Sequence, residues 1–231
     1  MALVWLLTAL GVVHPYYRQV GASYLTALGL PTWLMPLTCA LELVLGIVVW
    51  SLRPRRWLTL LQVGMILTFT LVLAVHEPLL LASPFGMLSK NLQILAVLLL
   101  IDRVQREGGW SDETRRWLRI AMALVWLTEG LFPKLLFQQS IELSMVPRIG
   151  IVSVSPRVMV GALGVCQIAS GILALVLTGA PRRLLLSAQA LALIVLPLLV
   201  GLLEPSLYVH PFGPFLKNLP ILVGTWLARR M

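Results

Sequence analysis

Long apolar runs separated by short charged breaks dominate the chain, and their lengths set the first expectation. A membrane-crossing helix needs about twenty apolar residues, fewer where its ends reach the headgroups or the helix stands upright. The first half offers four such runs, over residues 1–17, 32–52, 57–75 and 88–101, and the second half four more, over 118–137, 158–177, 184–203 and 215–228. The pattern predicts an all-α integral membrane protein of about eight transmembrane helices.

Met1-Ala2-Leu3-Val4-Trp5-Leu6 recurs unchanged as Met122-Ala123-Leu124-Val125-Trp126-Leu127. Pro54-Arg55-Arg56, Gln62, Glu77-Pro78, Pro84-Phe85-Gly86 and Lys90-Asn91-Leu92 return in the same order. Their counterparts are Pro181-Arg182-Arg183, Gln189, Glu204-Pro205, Pro211-Phe212-Gly213 and Lys217-Asn218-Leu219. Chance does not produce this many ordered matches at near-constant spacing. The chain reads as a duplication: residues 1–101 form one unit, 102–117 a cytoplasmic linker with Gly108-Gly109 as its flexible point, and 118–231 the second unit. Each unit has an even number of spans, so two like-oriented four-helix bundles are expected about an axis along the membrane normal. The second copy carries about six extra residues in its first outward loop.

Charge fixes the orientation. Arg53, Arg55, Arg56, Arg103, Arg106, Arg115, Arg116, Arg119, Arg182, Arg183, Arg229 and Arg230 fall on one side, against Arg18, Lys90, Lys134, Arg148, Arg157 and Lys217 on the other. Basic residues in short loops favour the cytoplasm, which places both termini there in a bacterial inner membrane. Met1–Val13 lacks the basic flank of a signal peptide and reads as the first membrane helix, retained. With 59% hydrophobic and 12% charged residues, the composition excludes a water-coated globule. The net charge of +9 is loop charge, so nucleic acid is not an expected partner.

Candidate chemistry is sparse. Cys39 and Cys166 lie within apolar runs and form no C-x-x-C pair, so they read as small packing residues. His14 and His210 precede prolines and His76 precedes Glu77, without metal-ligand or haem spacing, and no nucleophilic triad is indicated. What stands out is a set of polar residues in or beside the spans: Glu42, Glu129, Lys134, Gln167, Glu77, Lys90, Asn91, Glu204, Lys217, Asn218 and His210. An ionisable group inside a bilayer demands a partner or a wetted cavity. Two uses are open. In the structural one, Glu77 with Lys90 and Glu204 with Lys217 staple tight Pro-Phe-Gly turns, while the asparagines bond exposed backbone groups. In the functional one, Glu129, Lys134, Lys217 and Glu42 line an outward-facing pocket between the bundles, with Trp126 and Phe212 as walls.

Trp126-Leu127-Thr128-Glu129-Gly130-Leu131-Phe132-Pro133-Lys134, followed by the Pro-Arg-Arg loop and Pro211-Phe212-Gly213 with Lys217-Asn218-Leu219-Pro220, resembles the DoxX-like family of bacterial membrane proteins. The likeness covers essentially all of the second half, and its last-helix motif covers the first as well. Copy one departs from it, with Thr8 in place of Glu129 and Val13 in place of Lys134. Glu42 stands in its second helix where copy two has Gln167. The resemblance implies a compact four-helix unit. The family's namesake is a small membrane subunit associated with thiosulfate:quinone oxidoreduction. The chain is therefore expected to be a non-catalytic membrane subunit or accessory factor of a redox or quinone-linked system. No cofactor is expected in the chain itself, quinone is the candidate ligand, and an oxidoreductase or a second copy is the candidate partner beside the lipid bilayer. A small-solute or lipid transporter, with its site between the bundles, is the alternative. An autonomous enzyme ranks last.

Overall fold

The computed structural model describes the chain apart from residues 77, 84–87, 151–152 and 214 and the side chains of residues 76 and 80. Glu77, the Pro84-Phe85-Gly86 turn and the side chain of His76 thus lie outside the described residues.

The units fold alike. In the first, α1 (Ala2–Leu10), α2 (Pro15–Ala27), α3 (Leu34–Ser51), α4 (Arg56–His76) and α5 (Asn91–Glu107) follow in order. In the second, α6 (Asp112–Leu131), α7 (Ser140–Arg148), α8 (Pro156–Val176), α9 (Gly179–Leu203) and α10 (Asn218–Arg230) repeat them. The short helices α2 and α7 occupy the first connection of each unit.

Four helices among the described residues, α3, α4, α8 and α9, are long and apolar enough to cross a bilayer. A fifth is added if α6 and α7, which meet at a bend of 88°, count as one broken span. Length and apolar composition alone thus reach fewer spans than the eight expected from the apolar runs, and the reasons are local. The run over residues 1–17 is cut at His14, because proline disfavours helix in the residue before it. His14 is extended (φ −80°, ψ 131°), and its Nδ1 accepts the Tyr16 N–H at 3.2 Å to start a new helix. What precedes it, α1 with its 3-10 turn Gly11–Val13, is about 20 Å long, short of the roughly 30 Å hydrocarbon core. The last turns of α5 carry Asp102, Arg103, Arg106 and Glu107, and α10 has only 13 residues.

The stretch over residues 102–117, between the units, is mostly helical. Only residues 108–111 break it, with Gly108 left-handed (φ 74°) at the end of α5 and a Ser111–Thr114 capping box starting α6. Arg103 clamps the hairpin, donating to both oxygens of Glu113 at 2.9 and 2.7 Å and to Glu107 at 2.7 Å. These exposed bonds hold the Glu113 carboxyl below the usual carboxylate range.

Helix α6 is the centre of the molecule. Leu118, Met122 and Val125, at helical spacing, are 2% exposed or less, and Ala123 is fully buried. They join Trp5, Leu45, Ile66, Ile94 and Ile221 in one core, so both units share it. Helices α6 and α8 meet at Gly130 and Gly164, where a Cβ on Gly130 would stand 2.5 Å from the Gly164 carbonyl oxygen. Small residues allow such close approach where packing, not water, drives association. Outward, α4 and α9 expose Leu60, Leu61, Leu71, Val75, Leu184, Leu191 and Leu202, an apolar surface suited to acyl chains.

Candidate functional site

Among the described residues, two cavities stand out in this arrangement, one in each unit. The larger, about 580 Å³, lies among α6, α7, α8, α9 and α10. Its wall is apolar, and exposed side chains at its edge, Leu163, Leu199 and Ile149, face the surroundings of the helices. One end is polar, and Pro133 explains how. After Leu131 the backbone opens into a π turn over Phe132–Leu136, with the Phe137 N–H donating to the Phe132 carbonyl at 2.8 Å. In a regular α-helix, residues five apart lie about 140° apart around the axis. The wider turn, with its i to i+5 bonding, brings them toward one face. Glu129 and Lys134 stand five apart, and Lys134 turns inward, 5% exposed.

The chain then bends, and the first turn of α7 places Glu142 on the same lysine. Lys134 Nζ lies 2.9 Å from Glu142 Oε1 and 3.8 Å from Glu129 Oε2. Glu129, 8% exposed, also accepts a bond from the hydroxyl of Ser89, a residue of the first unit. Lys90 follows Ser89, lines the same cavity and lies within electrostatic reach of Glu129, Lys134 and Glu142. The polar end is thus a buried charge cluster assembled from both units.

Four buried atoms on this wall have no hydrogen-bond partner among the described residues: Trp126 Nε1, Glu142 Oε2, Gln167 Oε1 and Asn218 Oδ1. Buried polar groups are normally paired, so their convergence on one cavity marks it as a place for a polar-headed ligand. The repeat shows how one donor came to point there. In the first unit Trp5 Nε1 donates to Gln62 Oε1 at 3.1 Å. In the second, Ser170 stands where the first unit has Leu45, and Gln189 donates to the Ser170 hydroxyl at 2.7 Å, away from Trp126. Asn218 is placed by a similar substitution. Pro197 leaves the Leu193 carbonyl without its helical donor, and Asn218 Nδ2 supplies one at 3.3 Å. Asn91, its repeat-mate, donates to Thr70 Oγ1 at 2.8 Å.

The second cavity, about 440 Å³, lies in the first unit and is lined by Trp5, Tyr17, Cys39, Glu42 and Asn91, with Phe212 and Lys217 reaching in from the second unit. The polar residues of the sequence therefore divide between two cavities, Glu129 and Lys134 in one, Glu42 and Lys217 in the other. Each cavity borrows the lysine of the opposite unit, Lys90 or Lys217, and Lys217 lies within electrostatic reach of Lys90 and Glu129. Glu204 stands apart, at the end of α9. It pairs with Arg148 at 3.3 Å and accepts from Ser206 Oγ at 2.7 Å, and these partners, the hydroxyl first, hold its carboxyl below the usual range. His210 is buried between Tyr16 and Phe212, its Nδ1 accepting the Phe212 N–H at 3.3 Å. Burial, with Lys217 nearby, pushes its imidazole down to about 4.

Ser89 and Glu142 complete the cluster without a clear signal in the sequence. Glu142 sits in the first turn of α7, between α6 and α8, beside the apolar Ile141.

A DoxX-like family model matches residues 2–99 and again 123–226, once per unit. The chain belongs to the DoxX-like family. It is a helical membrane protein made of two tandem DoxX-like units. Searches of curated proteins and of solved structures found no match.

Proposed function

We propose that this DoxX-like protein is a non-catalytic, ligand-holding membrane subunit that presents a quinone to a redox partner. The observation that carries the proposal is the unit-two cavity, whose largely apolar wall includes unpartnered buried polar atoms together with Lys134 and its carboxylate partners. A quinone head suits that end in both of its states. Quinone carbonyls accept from the Trp126 N–H, and quinol hydroxyls donate to Glu142, Gln167 and Asn218. The isoprenoid tail lies along the apolar wall and leaves past Leu199 and Leu163 into lipid. Electrons come from a partner oxidoreductase that carries its own cofactor.

In this account the chain crosses the bacterial inner membrane eight times with both termini cytoplasmic. The apolar helices α3, α4, α8 and α9 sheathe α1, α5, α6 and α10, whose polar ends rest at the headgroups. The test is gentle purification from native membranes, followed by mass spectrometry of the extracted lipids and of co-purifying proteins. About one quinone per chain, lost in Glu129→Gln at unchanged folded yield, is the expected result. Bulk lipid alone would refute the proposal. Duplication into two like-oriented cavities favours a second reading, a transporter of small solutes or lipids, which predicts uptake by the purified protein in liposomes without any partner.

A further inference from the structure

The first unit's cavity has a chemistry of its own. Where the second unit has Glu129, Lys134 and Gln167, the first has Thr8, Val13 and Glu42. Glu42 projects from the middle of α3, is 7% exposed, and lines the cavity. Its Oε2 has no hydrogen-bond partner among the described residues. Tyr17 and Cys39, which lie 3.9 Å from one another, are its close polar neighbours. The remaining wall is largely apolar, with Leu28, Leu34, Val72 and Leu73 on the side away from the shared core. A buried carboxyl oxygen facing such a cavity calls for a hydrogen-bonding ligand head.

The charges around the cavity narrow the class of that head. A cationic head would meet Lys217, and an anionic one would meet Glu42. A neutral hydroxyl meets neither objection, and because it both donates and accepts it satisfies the carboxyl in either protonation state. We propose that the first unit holds a second, distinct ligand site, for a hydroxyl-headed amphipathic molecule whose hydroxyl bonds the Glu42 carboxyl. Its apolar body fills the space between α1, α2, α3 and α4. The site is completed across the unit boundary by Phe212 and Lys217. It does not depend on what the second unit's cavity holds.

The test uses the full chain in phosphatidylcholine nanodiscs and a 4-octylphenol bearing a diazirine on its tail as photolabel, with labelled peptides located by mass spectrometry. Saturable labelling of α3 or α4 residues such as Leu34 and Val72 is expected, displaced by 4-octylphenol and not by octylbenzene, which lacks the hydroxyl. Glu42→Leu should weaken that labelling by about tenfold or more, as expected for loss of a bond to a charged or strongly polar group. Equal displacement by octylbenzene, labelling confined to the second unit, or undiminished labelling of Glu42→Leu would each overturn the proposal. The competition between phenol and benzene needs no variant, so a poorly folding Glu42→Leu does not shield the idea.

Discussion

Replacing Lys134 by Met is the sharpest perturbation of the buried cluster. The lysine stands between two carboxylates, at 2.9 Å from Glu142 and 3.8 Å from Glu129. Coulomb attraction at 2.9 Å is about 6 kcal/mol for an effective dielectric constant of about 20. Desolvation of three charged groups offsets much of that, so the intact pair adds little net stability. Removing only this cation is different, because it takes the ion-pair partner at 2.9 and 3.8 Å from two buried carboxylates, at a cost of about 3–5 kcal/mol. For a chain of this size that lowers the melting midpoint by roughly 6–20 °C. Glu142→Gln alone should cost less, and in Lys134→Met/Glu142→Gln the lost partners are lost together. Thermal unfolding of the wild type, both single variants and the double variant in detergent, read by intrinsic fluorescence, gives the coupling energy directly. Coupling above about 1 kcal/mol is expected. Additive effects would mean that the lysine and Glu142 do not interact, and the placement of α7 on the π turn would be wrong.

The other expectations concern packing, acid lability and the free indole. Gly130→Ala should cost about 1–3 kcal/mol in the same unfolding measurement, because its Cβ would meet backbone at 2.5 Å. Gly64→Ala, with nothing within 4 Å, should gain up to about 1 kcal/mol from helix propensity. His210 is held down to about 4 from an ordinary 6.5, so the unfolded chain takes up a proton that the folded one refuses as pH falls. Stability present at neutral pH should therefore fall between pH 6.5 and 4, by up to about 3 kcal/mol, and His210→Gln should flatten that slope in a pH series of unfolding curves. Ser170→Leu, which restores the first unit's residue, should return Gln189 to Trp126 and withdraw an indole donor from the cavity. A several-fold weaker quinone affinity is the readout, and an unchanged one would show that the indole N–H is not used.

The duplication was legible because Met1–Leu6 and the Pro-Arg-Arg, Pro-Phe-Gly and Lys-Asn-Leu segments are literal copies, and the family matches each unit separately. Glu129 and Lys134 were legible as polar groups in an apolar run. Their meeting was not, because helical periodicity places residues five apart on different faces, and only the π turn at Pro133 brings them together. The break at Pro15 was not legible in the apolar count, which ran through residues 1–17 although that run divides between α1 and α2. The reach of Ser89 and Lys90 into the other unit's cavity, and of Lys217 the opposite way, depends on how the units dock. No repeat in one chain encodes that visibly.

A titration of the nanodisc-embedded protein with a short-chain quinone, followed by quenching of tryptophan fluorescence, tests the central claim most directly. The wild type should bind saturably. Glu129→Gln should lose affinity, and so should Lys90→Met, although Lys90 belongs to the other unit, because its lysine helps complete the second unit's cavity. Saturable binding that survives both substitutions, or no saturable binding by the wild type, would contradict the account.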